Sequence, residues 1–330
     1  MMGGVRSRFC ACSRVRRRPA QRPPWQRFVA WGLILTAAAG CTYLRPSHLL
    51  FRTVSLQSIP GLSGDQRFAS WSPDGTSLAV MSNASGNWDI WTVRPDGTQL
   101  RQLTHEPSSE YTAAWSPDGR WLIFSSDRVH RIWPNLWRLN PQQPEPAEPF
   151  SQANGKYFFP AWSPDGTQLA FLYLPTGPPS FELRTMAVPG RKSRMLSNNG
   201  IVFSPPAWSP DGTRIAFASN RSGTSKLWIL TLDTGALRQL LRGPSQEMQP
   251  SWSPDGRFLA FTSDRSGNSD IWVMDLSAIG AGDGAEPPLQ QLTRSPSTDH
   301  YPQWSPDGRR LVFVSTRSGH EALWLIDLAP

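Results

Sequence analysis

Trp-Ser-Pro-Asp-Gly occupies residues 71–75, and the same five residues return from Trp115, Trp162, Trp208, Trp252 and Trp304. The intervals are 44, 47, 46, 44 and 52 residues, a length that holds four short strands and their turns. The pentapeptide is itself turn chemistry. Proline presets φ at the second turn position, aspartate suits the third, and glycine takes the positive φ that follows. Each copy therefore predicts a tight hairpin between the first two strands of a repeat. The tryptophan ahead of it brings roughly 150–250 Å² of surface to bury.

The repeat extends beyond the turn. Two residues on come Leu78-Ala79-Val80, Leu122-Ile123-Phe124, Leu169-Ala170-Phe171, Ile215-Ala216-Phe217, Leu259-Ala260-Phe261 and Leu311-Val312-Phe313. A strand that is apolar on both faces must be covered on both, as between stacked sheets. Four copies continue with Ser-x-Arg (Ser126/Arg128, Ser219/Arg221, Ser263/Arg265, Ser315/Arg317), and a third strand ends at Trp91, Trp137, Trp228, Trp272 or Trp324. Gln-Leu-Thr closes two repeats, at 102–104 and 291–293. The pattern predicts an all-β chain, a six-bladed β-propeller of four-stranded antiparallel blades over residues 51–330. The sixth repeat reaches Pro330 after its third strand, and an orphan strand, Arg52-Thr53-Val54-Ser55-Leu56, precedes the first repeat. The expectation is that this N-terminal strand completes blade six and closes the ring.

The formal charge of +8 has a local origin. Residues 1–40 hold eight arginines and no acid, which equals the whole excess and leaves residues 41–330 formally neutral. Nucleic-acid binding by the body is set aside on that ground. The arginines precede a mostly apolar run, residues 28–40, that spans only about 20 Å as helix, short of a bilayer core. Residues 1–40 read as a signal peptide and 41–50 as a short tether. Ala38-Ala39-Gly40 before Cys41 resembles a bacterial lipoprotein box, although Ala38 stands where a larger aliphatic residue is usual. That resemblance implies lipid attachment at Cys41. An ordinary cleaved signal and an uncleaved anchor stay open beside it. Cys10, Cys12 and Cys41 are the only cysteines, so no disulfide or thiol chemistry is available to the body.

The repeat, from its turn to its Gln-Leu-Thr ending, resembles the TolB-like propeller family. That family occurs in the Tol–Pal envelope protein, in prolyl-oligopeptidase-type peptidases and in oligogalacturonate lyases, so the resemblance implies a fold more sharply than a function. No Gly-x-Ser-x-Gly string is present for peptidase chemistry. The five histidines His48, His105, His130, His300 and His320 fall at different offsets in their repeats and assemble no metal site of three or more ligands. The aspartates Asp74, Asp118, Asp165, Asp211, Asp255 and Asp307 share one turn position and read as architecture. No cofactor and no catalytic residue are expected.

What recurs builds the scaffold, so the positions that differ between repeats are the candidates for recognition. Five residues before each tryptophan the ring reads Gln66, Glu110, Tyr157, Phe203, Glu247 and Asp299, with Tyr111, Lys156, Phe158 and His300 beside them. Placed at the mouth of the central channel, Glu110, Tyr111, Tyr157, Phe203, Glu247, Asp299 and His300 would grip a peptide, aromatics as anchors and acids selecting a basic partner. Ordinary solvated loop ends are the competing reading. The expectation is an exported, periplasmic, lipid-anchored monomer that binds an envelope protein or peptide without catalysis. A propeller-type polysaccharide lyase or other glycan-active enzyme is the alternative. Pro-rich stretches at 141–149 and 174–179 and an insertion at 279–288 predict surface loops.

Overall fold

The computed structural model describes residues 50–129, 134–151, 155–177, 180–188, 192–201, 203–278 and 286–329. The leader, the apolar run and Cys41 lie outside the described residues, as do His48 and His130. Among the described residues the strands form six antiparallel sheets of four. The first strand is β1 (Arg52–Ser58). Blade one is β2 (Gln66–Trp71), β3 (Leu78–Ser82), β4 (Asp89–Val93) and β5 (Arg101–Gln102). Blade two is β6 (Glu110–Trp115), β7 (Leu122–Ser126), β8 (Asn135–Asn140) and β9 (Gln143–Pro149). Blade three is β10 (Gly155–Trp162), β11 (Gln168–Pro175), β12 (Glu182–Ala187) and β13 (Ser193–Ser197). Blade four is β14 (Ala207–Trp208), β15 (Arg214–Ser219), β16 (Lys226–Thr231) and β17 (Leu237–Gln239). Blade five is β18 (Glu247–Trp252), β19 (Phe258–Ser263), β20 (Asp270–Asp275) and β21 (Leu289–Gln291). The last sheet is β22 (Asp299–Trp304), β23 (Arg310–Ser315), β24 (Ala322–Ala329) and β1.

In that sheet Arg52 stands opposite Ala329 and Ser58 opposite Trp324, so its outer strand comes from the N-terminal side of the ring. Phe51 fixes the start of this strand. Its ring lies 4.7 Å from Phe258 and 5.4 Å from Trp304, and the Gln290 side-chain oxygen accepts hydrogen bonds from the N–H groups of Leu50 and Phe51, both at 2.7 Å.

Burial follows the apolar pattern. Every residue of β3, β7 and β19 is buried, whereas β1 is exposed at all but one position. The buried clusters join one blade to the next: Leu227 and Ile229 of blade four pack with Trp252, Leu259 and Phe261 of blade five. Three of the pentapeptide tryptophans also hydrogen-bond across the seam. Their indole N–H groups donate to the preceding blade, Trp71 to Gln303 O (3.2 Å), Trp208 to Ala161 O (3.1 Å) and Trp252 to Ala207 O (3.2 Å).

The turns themselves pack in a circle. Each turn glycine has φ near +70° and lies against the proline of the neighbouring turn. A Cβ on Gly119 would sit 3.9 Å from Pro73, and the series runs round to Gly75, 3.7 Å from Pro306 of the last blade. This contact is a second reason for the pentapeptide's uniformity, beyond the turn conformation. The aspartates serve the same turn. Asp74 accepts from the Ser72 hydroxyl at 2.6 Å and from the Thr76 N–H at 3.0 Å, and the other five turns repeat the serine contact. Those hydroxyls, and then the backbone N–H groups, hold the carboxyls of Asp74, Asp118 and Asp165 below the usual range. Their role is architectural.

The innermost strands carry one more regularity. Five of the six break register just before the tryptophan, and there, three residues ahead of it, Phe68, Thr112, Phe159, Gln249 and Tyr301 take φ between +41° and +58°. These are β-bulges, which kink a strand and turn its side chains. Blade four has Pro205 at the corresponding position. Proline cannot adopt positive φ, and there the inner strand is only two residues long.

Candidate binding mouth

Inner strands run from one face of the ring towards the pentapeptide turns on the other. Their starting ends, with the loops after the second strands, form the channel mouth. The residues five before each tryptophan are found there, but all except Phe203 are buried. Gln66, Glu110, Glu247 and Asp299 are at most 1% exposed and Tyr157 is buried against Phe171 and Tyr173. Glu110 accepts from the hydroxyls of Ser108 and Ser126, both at 2.8 Å, and from Arg128 Nη2 at 3.3 Å. Glu247 holds Arg265 Nη2 at 2.9 Å and the buried Lys226 ammonium at 2.7 Å, and Asp299 holds Arg317 Nη2 at 2.6 Å. The expectation that Glu110, Glu247 and Asp299 present acids to a basic partner is corrected: before the bulge, this position points into the blade.

These contacts also explain Ser-x-Arg. Each arginine lies over the tryptophan of its own third strand, Arg128 at 4.5 Å from the Trp137 ring and Arg317 at 4.7 Å from Trp324. It then reaches the first-strand carboxylate. Acid and arginine occur together in blades two, five and six. Blade four has Arg221 without an acid, and it bonds Ser197 Oγ (2.7 Å) and Asn199 O (3.0 Å) instead. Blades one and three lack the arginine and have Gln66 and Tyr157. That co-occurrence is a sequence signal for a buried pair.

The channel is reached instead by the next two positions. At the bulge, Phe68 of blade one lies 5.4 Å from Phe159 of blade three, reaching past the intervening blade, and 4.1 Å from Tyr301 of blade six. Phe159 lies 4.6 Å from Phe203, which also meets Phe158 (5.1 Å) and Phe181 (5.3 Å). An aromatic layer thus fills the axis and forms the floor of a one-sided mouth. Hydrogen bonds brace it: Gln249 Oε1 accepts from Tyr301 N–H (3.0 Å) and from the Thr262 hydroxyl (2.7 Å).

The mouth above this floor is unequal. On blades three and four it is apolar, with half-buried Phe158, Phe181 and Phe203. On blades six and one it is charged. Arg67 Nε donates to Glu321 Oε2, His300 Nε2 lies 3.5 Å from Glu321 Oε1, and the Arg67 guanidinium stands 5.0 Å from the Trp88 ring. Burial raises the Glu321 carboxyl, but the His300 hydrogen bond and the Arg67 charge outweigh it and hold the group below its usual range. Tyr111 is half-buried with its hydroxyl on Asp127, and burial followed by the Asp127 charge pushes it up to about 12. Of the predicted set, Tyr111, Phe203 and His300 are at the mouth with some exposure.

Among the described residues no three His, Cys, Asp or Glu side chains gather as a metal site. His105 lies on the outer rim with Glu145, and His300 is engaged with Glu321.

The TolB beta propeller domain matches this chain over residues 51–144 and 145–284. The chain belongs to the TolB propeller family. Over 67 residues, 19% of the chain, it is 37% identical to the Tol-Pal system protein TolB of Nitratidesulfovibrio vulgaris, a segment spanning 15% of that relative. The curated relatives are thus matched over less than half of their length. Among solved structures, a putative TolB from Agrobacterium tumefaciens superposes with a TM-score of 0.60 at 18% identity, covering 83% of this chain and 97% of that one. An oligogalacturonate lyase in complex with manganese superposes with a TM-score of 0.58 at 16% identity, covering 85% and 96%. At these identities the likeness is one of fold, and the TolB-type propeller hosts both kinds of protein.

Proposed function

We propose that this TolB-type propeller is exported to the cell envelope, held at a membrane through Cys41, and binds a protein or peptide partner at its mouth without catalysis. One observation carries the reading: an aromatic layer closes the axis, with half-buried aromatics on one side of it and a charged cluster on the other. Aromatic anchors beside a fixed charge suit a peptide, which offers side chains and polar groups at short intervals. Phe158, Phe181 and Phe203 supply the apolar contact. Arg67, His300 and Glu321 set polarity and orientation, with Tyr111 at the adjoining rim. The lyase likeness is one of fold alone, and among the described residues no set of three His, Cys, Asp or Glu side chains accompanies it.

The test is photocrosslinking in intact cells, with a photoreactive residue at Phe158 on the mouth and, separately, at Thr76 on the turn face. The expected result is one dominant adduct from position 158 that is absent from position 76. Equal adducts from both positions, or none from 158, would refute the mouth as the contact surface.

A further inference from the structure

At the mouth-side outer corner, between blades one and two, lies a groove of about 500 Å³. One wall is the segment after β5, from Leu103 to Glu106, and the other is β9, from Pro144 to Ala147. The two segments run side by side and are fastened twice. Arg101 Nη1 donates to Pro141 O at 3.1 Å, and four residues on His105 Nδ1 lies 3.2 Å from Glu145 Oε1. Prolines at 144, 146 and 149 remove N–H groups from β9, so this edge is poorly suited to accept an added strand. Recognition in the groove therefore falls to side chains.

The geometry points to the side chain of a lysine or arginine, carried by an extended peptide, as the occupant. Charge decides this. Glu106 and Glu145 are on the walls, with side chains 52% and 67% exposed. The floor is Arg128, stacked over Trp137, and its charge is already shared with Glu110 beneath (3.3 Å) and Glu106 (3.9 Å). Glu110 is fully buried, and its second oxygen has no hydrogen-bond partner among the described residues. Two exposed carboxyls on the walls thus face one imidazole and one guanidinium, and the guanidinium is already engaged from beneath by a buried carboxyl. Leu103, Pro144 and Pro146 line an apolar passage for the methylene stem of a long basic side chain, while its head group meets the two exposed carboxylates. The volume suits a side chain and its flanking backbone. The equivalent of His105-Glu106 in blade five is Arg294-Ser295, so the acidic wall is particular to this seam. This site is separate from the mouth.

The test is fluorescence anisotropy of a labelled Gly-Arg-Gly-Arg-Gly peptide, titrated with the full chain purified in detergent at low salt. Saturable binding is expected. It should weaken at least tenfold in a Glu106→Gln, Glu145→Gln double variant and be unchanged in Phe158→Ala at the mouth. A control peptide with glutamate in place of arginine should not bind. Both substituted side chains are exposed, so an unchanged melting temperature will show that the double variant is folded. Absence of saturable binding, equal affinity in the double variant, equal binding of the acidic peptide, or loss only in Phe158→Ala would each overturn the assignment.

Discussion

Glu110 sets two large electrostatic effects against each other, and Glu110→Gln decides between them. The carboxyl is fully buried. Burial pushes it up to about 7, against the hydrogen bonds of Ser108 and Ser126 and the charge of Arg128, which favour the ionised form. An unfolded glutamate titrates near 4.3, so the difference corresponds to roughly 4 kcal/mol. The sign follows from which state holds the proton more tightly. The folded protein does, so this contribution is fully present below about pH 4 and is lost as pH rises through about 7. Glutamine keeps the shape and can accept from Ser108, Ser126 and Arg128 without the charge. At about pH 8 the Glu110→Gln protein should therefore be more stable than the wild type by about 1–3 kcal/mol, and at about pH 5 the gap should shrink towards zero. Urea unfolding followed by tryptophan fluorescence at several pH values measures this. A glutamine variant that loses more than about 1 kcal/mol at pH 8, the behaviour of a broken buried ion pair, would show that Arg128 outweighs desolvation and refute the reasoning.

Trp252→Ala removes a side chain that is 7% exposed, donates to Ala207 O across the seam and carries Arg214 at 4.9 Å over its ring. It should cost about 3–5 kcal/mol, and an unchanged melting temperature would contradict the tryptophan's place in the interblade seam. Deleting residues 50–57 takes away Phe51 and most of β1, uncovering the edge of β24. The truncated protein should lose its cooperative transition, and one that melts cooperatively at the wild-type temperature would show that β1 is dispensable to the ring.

Much of this molecule was legible along the chain. The number of blades, the hairpin at each pentapeptide and the doubly buried second strands all follow from recurrence. The architectural role of the six aspartates follows as well, since a turn that needs Asp for local hydrogen bonds needs it every time. The mouth was less legible. Counting five residues back from each tryptophan selects positions that vary, yet Glu110, Glu247 and Asp299 vary with the arginine two residues after the second strand, as members of a buried pair. The residues that meet on the axis, Phe68, Phe159 and Tyr301, stand beyond a register break. With Thr112 and Gln249 they share a backbone conformation and no side-chain type.

The sequence by itself determined the repeat, the turn chemistry and hence the all-β propeller, because those depend on residues within a few positions of one another. Only the tertiary structure decided which varying residues face the axis, which pair inside a blade, and where two blade edges enclose a groove. In five of the six inner strands facing is set by the sign of φ at one bulge residue, and the contacts made by Phe68, Phe159 and Tyr301 come from blades far away in sequence.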